Sequence, residues 1–260
     1  MDPTQRTTPK SYEEWKTRLD ELKTEVSTSE GYRYWTRISE FGKSFEIWND
    51  EHVELADLLQ SYEHDPQAVL RLHNVDRPEE RDRLVRVLDR KTLSCMAAFK
   101  ALEDHIKTTL HDVSTAETRD EYDRRLADLK REDVTVAFML RFRNYLQHHK
   151  TAPWGTALHF RPGVLEGEIW LNATRLLAWD GFQSGARRFL RDHEPTFRFR
   201  PVLIEFGERW SELALWYCEM VRQEGASAMA DAEELRLTAV RYHDSYDPRP
   251  DGHSAPGPGS

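Results

Sequence analysis

The spacing of apolar and polar positions predicts a chain that is mainly α-helical. Over long stretches apolar residues recur three and four positions apart, which is the period of a helix with one buried face. The strongest of these stretches predict two long antiparallel helices near residues 78–110 and 116–148, joined by a loop of a few residues. Ser114 or Thr115 stands where a capping residue would begin the second helix.

Other helices are predicted from residues that begin or interrupt helices. Ser11 and Glu14 form a capping box that begins a helix reaching about Val26. The aromatic-rich residues 31–45 contain two glycines and are interpreted as a loop with a short helix. Further helices are predicted to begin at Asn49 or Asp50, at Asp65, at Pro78, at Asp180 and at Pro201, the last of them faltering near Gly225 and ending by Tyr246.

Two short β-like runs follow the second long helix. They cover residues 156–160 and 167–171, and the turn residues Pro162 and Gly163 lie between them. Such a pair of runs around a turn is typical of a hairpin. One hairpin does not make a sheet fold, so it is interpreted as a small β-hairpin insertion near residues 156–172 of a helical bundle.

Length and composition predict one globular domain with polar ends. The chain has 260 residues, of which 38% are hydrophobic and 32% charged, and its eight Trp, nine Tyr and eleven Phe are enough for a substantial core. Polar and Pro-, Gly- and Ser-rich ends predict a disordered leader over residues 1–9 and a disordered tail over 248–260. The single domain is therefore expected to span residues 10–247.

Charge and cysteine content indicate the setting of the protein. The net charge of −9 repels nucleic acid, so any nucleic-acid binding requires a local basic patch. Cys95 and Cys218 both fall in apolar helical segments, which favours buried free thiols in a reducing compartment. No apolar run is long enough for a membrane span. We expect a soluble cytoplasmic protein.

Several kinds of enzyme site are excluded by their missing motifs. The sequence has no His-Glu-x-x-His, Cys-x-x-Cys or Glu-x-x-His arrangement, so the usual zinc and di-iron ligand sets are absent. It also lacks the glycine-rich phosphate loops of ATP-binding and dinucleotide-binding proteins, and a serine-nucleophile elbow. We therefore expect no metal and no cofactor.

Residues 134–153 are the most informative stretch of the sequence. They begin as an apolar helix and end in a dense polar cluster. Counted along a continuous helix, the apolar stripe that includes Val136 and Leu140 is continued by Asn144 and His148. Polar groups thus stand where the pattern predicts a core or an interface, and buried polar groups need partners. The polar cluster comprises Arg141, Arg143, Asn144, Gln147, His148, His149 and Lys150.

The run Arg143-Asn144-Tyr145-Leu146-Gln147-His148 resembles the Arg-Asn-x-x-x-His signature of the HEPN superfamily. That resemblance implies an antiparallel helical bundle. It also implies a metal-independent endoribonuclease in a toxin or phage-defence setting, acting as a homodimer whose two motifs line a shared cleft. An antitoxin or another defence protein would be a further partner. Arg188 and His193 show a looser form of the pattern, which we attribute to chance.

The chemistry of these side chains fits RNA cleavage by attack of the 2′-hydroxyl group. The ordinary pKa of imidazole suits proton transfer near neutral pH, which makes His148 the candidate acid or base. Arg143 would hold the phosphate through its forked guanidinium. Asn144, one turn before His148, could fix the tautomer of the ring. RNA would be contacted by the neighbouring residues Arg141, His149 and Lys150.

Three alternatives stay open at this point. In the first, Arg143 and His148 are both catalytic. They are five positions apart and diverge by roughly 140° around a helix, so they meet at one substrate only if the helix frays or two copies pair. A second possibility is a catalytically silent HEPN-like bundle that binds RNA, a nucleotide or a protein partner. A third is that Arg143 pairs with an acidic residue while His148 and His149 cap the helix. The nearly all-apolar residues 134–146 require cover from other helices or from a second subunit.

Overall fold

The computed structural model describes residues 11–74 and 76–246, so the predicted leader and tail lie outside the described residues. Helices make up 79% of this part of the chain, which confirms the mainly α-helical prediction. The described elements are α1 (Tyr12–Thr28), α2 (Glu30–His64), α3 (Pro66–Leu72), α4 (Pro78–Val113), α5 (Ala116–Glu132), α6 (Val134–His148), β1 (Trp154–Arg161), β2 (Val164–Asn172), α7 (Ala173–Leu177), α8 (Ser184–Asp192), β3 (Thr196–Arg198), α9 (Phe199–Glu224) and α10 (Ala226–Asp244).

The described residues form two compact units. The first combines residues up to 37 with those from 222 onward, and in it α1 packs along α10. Trp15 anchors that pair by donating its indole N–H to the carbonyl oxygen of Tyr242 at 3.2 Å. The second unit, residues 38–221, holds the sheet and α3 to α8. The span of a single domain over 10–247 stays a prediction.

Helices α4 and α5 run antiparallel, as predicted. Thr115 caps α5 by accepting a hydrogen bond from the backbone N–H of Thr118. The rings of His111 and Tyr122 lie 5.6 Å apart close to the turn. Farther from the turn, Lys130 reaches back to Glu103 at 3.0 Å, so α5 lies beside the last part of α4.

The predicted single helix over residues 116–148 is wrong. It is divided at Asp133, whose backbone is extended and whose carboxylate accepts a hydrogen bond from the N–H of Val136 at 2.9 Å. Asp is a favoured N-cap because this bond satisfies one of the donors left free at a helix start. Asp133 therefore ends α5 and begins α6 with a new helical phase.

The loop predicted over residues 31–45 is also wrong, because α2 is one helix of 35 residues. No cap is needed at Asn49 or Asp50. Phe41, Trp48 and Leu55 are seven positions apart and all buried, so they form one face of a continuous helix. Gly31 does not break α2. A Cβ atom at this position would lie 1.9 Å from the carbonyl oxygen of Ala228, so the glycine permits close packing on α10.

The hairpin prediction is confirmed and extended. Strands β1 and β2 pair antiparallel from Trp154 opposite Leu171 to Arg161 opposite Val164. The three-residue strand β3 adds to the other edge of β2 and was not predicted, since it is too short to show an alternating pattern. Among the described helices, none combines the length and apolar character needed to cross a membrane.

Helix starts after the hairpin differ in part from the predictions. Helix α8 begins at Ser184 after Gln183, so Asp180 is not its cap, and the short helix α7, capped by Asn172, was not predicted. Helix α9 begins at Phe199, two residues before Pro201. The interruption at Gly225 is confirmed, since it separates α9 from α10.

Candidate functional site

Helix α6 is held by an aromatic cluster on its buried face. Phe138 is 0% exposed and stacks on Phe189 of α8 at 4.5 Å, with Phe142 at 5.3 Å and the ring of Phe197 edge-on at 5.5 Å. Tyr145 continues this face one turn after Phe142. The rings thus fix the rotation of α6 and decide which motif residues face away from the core.

On α6 the predicted apolar stripe holds at Val136, which is buried, but its continuation is wrong. Leu140 and Asn144 are only half-buried, and His148 is exposed. The predicted stripe continues from α5 into α6 only if the two form one unbroken helix. Because α6 begins anew at Asp133, its buried face follows Phe138 and Phe142 instead.

A cleft of about 500 Å³ lies between α6 and the start of α8. We call it the α6–α8 cleft. Gly185 allows the two helices to approach, since a Cβ atom there would lie 2.9 Å from the methyl group of Ala137. Four cationic residues and no carboxylate contribute to its wall. The lining residues are Lys130, Arg131, Ala137, Leu140, Arg141, Arg143, Asn144, Gln183, Ser184, Gly185 and Ala186.

The four cations of the cleft are not equivalent. Lys130 is paired with Glu103 at 3.0 Å, and Arg131 with Asp128 at 2.6 Å. Arg141 and Arg143 contact no carboxylate within residues 11–74 and 76–246, and Arg143 instead donates its Nε–H to the side-chain oxygen of Gln147 at 3.3 Å. The two charges thus have no carboxylate partner in the described chain, and the cleft is a local basic patch on a chain of acidic composition.

The structure places two of the three predicted catalytic residues in the α6–α8 cleft and the third outside it. Arg143 and Asn144 line the α6–α8 cleft, as does the predicted RNA-binding residue Arg141. His148 lies outside this lining at the exposed end of α6, and its ring has no hydrogen bond or ion pair with the described residues. The suggested bond between Asn144 and this ring is therefore not formed in the single chain.

His149 and Lys150 follow at the exposed end of the helix. The ring of His149 stacks on Trp179 with centroids 5.6 Å apart. His193, from the second copy of the spacing, instead stacks on Phe189 at 4.2 Å, and its Nδ1 lies 2.8 Å from the carbonyl oxygen of the same residue. His193 is thus a packing residue.

Asp89 of α4 anchors the chain directly after the motif. Its Oδ1 accepts hydrogen bonds from the indole N–H of Trp154 at 2.7 Å and from the backbone N–H of Ala152 at 3.3 Å. Burial raises the pKa of Asp89 above its ordinary value, and the two hydrogen bonds offset only part of this effect. No motif pointed to Asp89, because it precedes its partners by more than sixty residues.

Asp89→Asn should leave the protein at least as stable as wild type at neutral pH. Both bonds go to Oδ1, and an amide oxygen accepts them without a buried charge. Because the folded-state pKa is raised, the folded protein binds more protons than the unfolded chain between the two pKa values, and wild-type stability falls as pH rises through that window. Asp89→Asn should lack this fall. Urea unfolding from about pH 3 to about pH 7 measures it.

Asp89→Ala is the matched control for this substitution. It removes both acceptors and leaves the N–H of Trp154 without its partner, so it should lose about 1–3 kcal/mol at every pH. The same loss of stability with rising pH in Asp89→Asn as in wild type would contradict the raised pKa of Asp89.

Comparison of the chain with protein-family models, with curated proteins and with solved structures found no match. No group of three His, Cys, Asp or Glu side chains in the described part of the chain is arranged to hold a metal ion. The α6–α8 cleft and the motif on α6 are therefore the features that point to a function.

Proposed function

We propose that this chain is a metal-independent endoribonuclease that holds RNA phosphates in the α6–α8 cleft. The observation that carries the proposal is the pair Arg141 and Arg143, whose charges have no carboxylate partner in the described chain and face a cleft without acidic lining. Forked guanidinium groups match phosphate oxygens geometrically and stay charged at all physiological pH values.

The start of α8 adds to the attraction for anions. Gln183 to Ala186 line the cleft, and the side chain of Gln183 makes no capping bond to the helix. The first backbone N–H groups of a helix lack intrahelical partners and carry a partial positive charge. A phosphate in this cleft would meet arginine side chains from α6 and free N–H donors from α8.

Cleavage would use the 2′-hydroxyl group of the RNA itself. A base removes its proton, the 2′-oxygen attacks phosphorus, and an acid protonates the departing 5′-oxygen, which leaves a 2′,3′-cyclic phosphate. His148 is the proposed proton-transfer residue and Arg143 the proposed phosphate cation. Because His148 lies outside the cleft lining, we propose that it serves the cleft of a second copy. This arrangement corresponds to the homodimer that the HEPN resemblance implies.

A second candidate is an RNA-binding bundle without nuclease activity. The position of His148, exposed and without a side-chain partner among the described residues, favours this candidate. Under it, Arg141 and Arg143 would bind phosphate in the same way but no strand would be cut. A cytoplasmic toxin or defence setting and an antitoxin partner belong to the nuclease proposal alone.

Arg141→Ala and Arg143→Ala should each weaken RNA binding and reduce its dependence on salt. Each lost phosphate contact lowers the slope of log affinity against log salt concentration by about 0.7 for a single strand. Fluorescence anisotropy with a labelled RNA at several salt concentrations measures this slope for both proposed functions.

Arg188→Ala is the matched control for the two substitutions. Arg188 is an exposed arginine of α8 that does not line the cleft and lies 3.8 Å from Asp192. Its replacement should leave the slope unchanged. Equal slopes for wild type, Arg141→Ala and Arg143→Ala would rule out the α6–α8 cleft as the RNA site.

A further inference from the structure

An accessible aromatic pair joins the end of α6 to the segment that leads into α8. The imidazole of His149 and the indole of Trp179 stack with centroids 5.6 Å apart and planes inclined by only 21°. His149 is exposed at the end of α6, and Trp179 is half-buried beneath it. One face of the His149 ring is therefore used by the stack, while the ring as a whole stays open to solvent.

Other aromatic rings hold the stacked pair of His149 and Trp179, which we call the platform, on its inner side. Trp179 meets the rings of Tyr145 at 5.4 Å and Phe182 at 5.0 Å, both edge-on. Gly181 makes room for it, since a Cβ atom there would lie 2.1 Å from the indole ring. Phe182 directly precedes Gln183, which lines the cleft. The same short segment thus positions both the platform and the edge of the cleft.

The His149 ring also lies 5.2 Å from the buried ring of Tyr145, but its surroundings differ from those of a histidine that only packs. His193 shows what such a role looks like in this protein, with a half-buried ring stacked on Phe189 and bonded to a backbone carbonyl. His149 is exposed, and its ring nitrogens bond to none of the described residues. A flat, solvent-facing ring at the end of the helix that carries Arg141 and Arg143 has the composition of a single-strand binding surface, where bases stack and cations hold the backbone.

We propose that His149 and Trp179 form a stacking subsite for one unpaired RNA base, next to the phosphates held in the α6–α8 cleft. This inference rests on the proposed function, because the cleft must bind RNA for the subsite to act. Bases in a duplex are already stacked on their neighbours and do not present a free face. The subsite would therefore make the protein prefer single-stranded RNA to the same sequence in a duplex.

The test compares three RNA probes on the full chain. They are a short single strand, the same strand with abasic ribose in place of its nucleosides, and the same sequence in a duplex. Wild-type protein should bind the intact strand about 5- to 100-fold more tightly than the abasic strand, since stacking of one base contributes that much affinity. His149→Ala and Trp179→Ala should bind the intact strand more weakly and leave affinity for the abasic strand unchanged.

Control variants separate this inference from the proposed function. Phe160→Ala removes an aromatic ring that is 79% exposed near the tip of the hairpin, and it should leave all three affinities unchanged. Arg141→Ala should weaken the intact and abasic strands equally. His149→Ala truncates an exposed side chain at the end of α6, so it keeps the test valid if Trp179→Ala fails to fold.

Two results would overturn the subsite. One is that His149→Ala binds the intact strand as tightly as wild type does. The other is that His149→Ala loses the same affinity for the intact strand as for the abasic strand. If Arg141→Ala and Arg143→Ala retain full affinity and salt dependence while RNA still binds, the cleft proposal fails instead. If wild-type protein binds none of the probes, both fail.

Discussion

His148→Ala should slow RNA cleavage by about 10²–10⁴-fold and leave the protein folded. The loss reflects removal of a proton-transfer group. The fold should be unaffected because His148 is exposed and bonds to none of the described side chains. Arg143→Ala should cost a similar factor, since it removes the cation that faces the developing charge on phosphate. Gel assays of labelled RNA, with products tested for a 2′,3′-cyclic phosphate and with EDTA present, measure both effects.

His159→Ala provides a control with the same chemical change. His159 lies on β1, is also exposed, and pairs with Glu168 at 2.7 Å. Its loss should leave cleavage intact. If His148→Ala cuts RNA at the wild-type rate, His148 is not the proton-transfer residue. If wild-type protein binds RNA and cuts none, the chain is the silent RNA-binding bundle.

A mixing experiment distinguishes a shared site from a site within one chain. Arg143→Ala and His148→Ala would each be inactive alone. If Arg143 of one copy acts with His148 of the other, a mixed dimer contains one site with both substitutions and one with neither. An equal mixture should then regain about a quarter of the wild-type activity by random pairing across a two-fold interface. No recovery would contradict the shared site.

Local rules predicted the helix ends in some places and failed in others for identifiable reasons. Ser11, Asp65 and Thr115 were recognised as caps because each side chain bonds a backbone N–H two or three residues later. Asp133 has the same chemistry, but the apolar period on both sides of it suggested one helix. In α2, the two glycines suggested a loop, although Phe41 and Trp48 stand at the seven-residue spacing of one helix face.

The candidate site was recoverable only where its residues are neighbours in sequence. Arg141, Arg143 and Asn144 lie on one short helix, so the polar cluster was visible as a run. Asp89 and Trp179 meet this helix end from distant parts of the chain, and no spacing rule links them to it. The direction in which each motif residue points also depends on α8, because the packing of Phe138 on Phe189 fixes the rotation of α6 about its axis.

Phe138→Ala should destabilise the second unit by about 3–5 kcal/mol, the range for removal of a fully buried phenylalanine. Its ring is 0% exposed and contacts four others: Phe142, Phe182, Phe189 and Phe197. Urea unfolding measures the loss. Phe160→Ala removes the same side chain from a position that is 79% exposed, and its effect should stay within about 0.5 kcal/mol.

This pair of substitutions also tests the proposed homodimer. The dimer was predicted partly because residues 134–146 are too apolar to stand alone, yet Phe138, Met139 and Phe142 are covered within one chain. That reason no longer applies, and the dimer depends on the need to bring His148 to a cleft. The destabilisation by Phe138→Ala should therefore be the same at low and high protein concentration. A loss that grows as concentration rises would show that a second copy covers α6 after all.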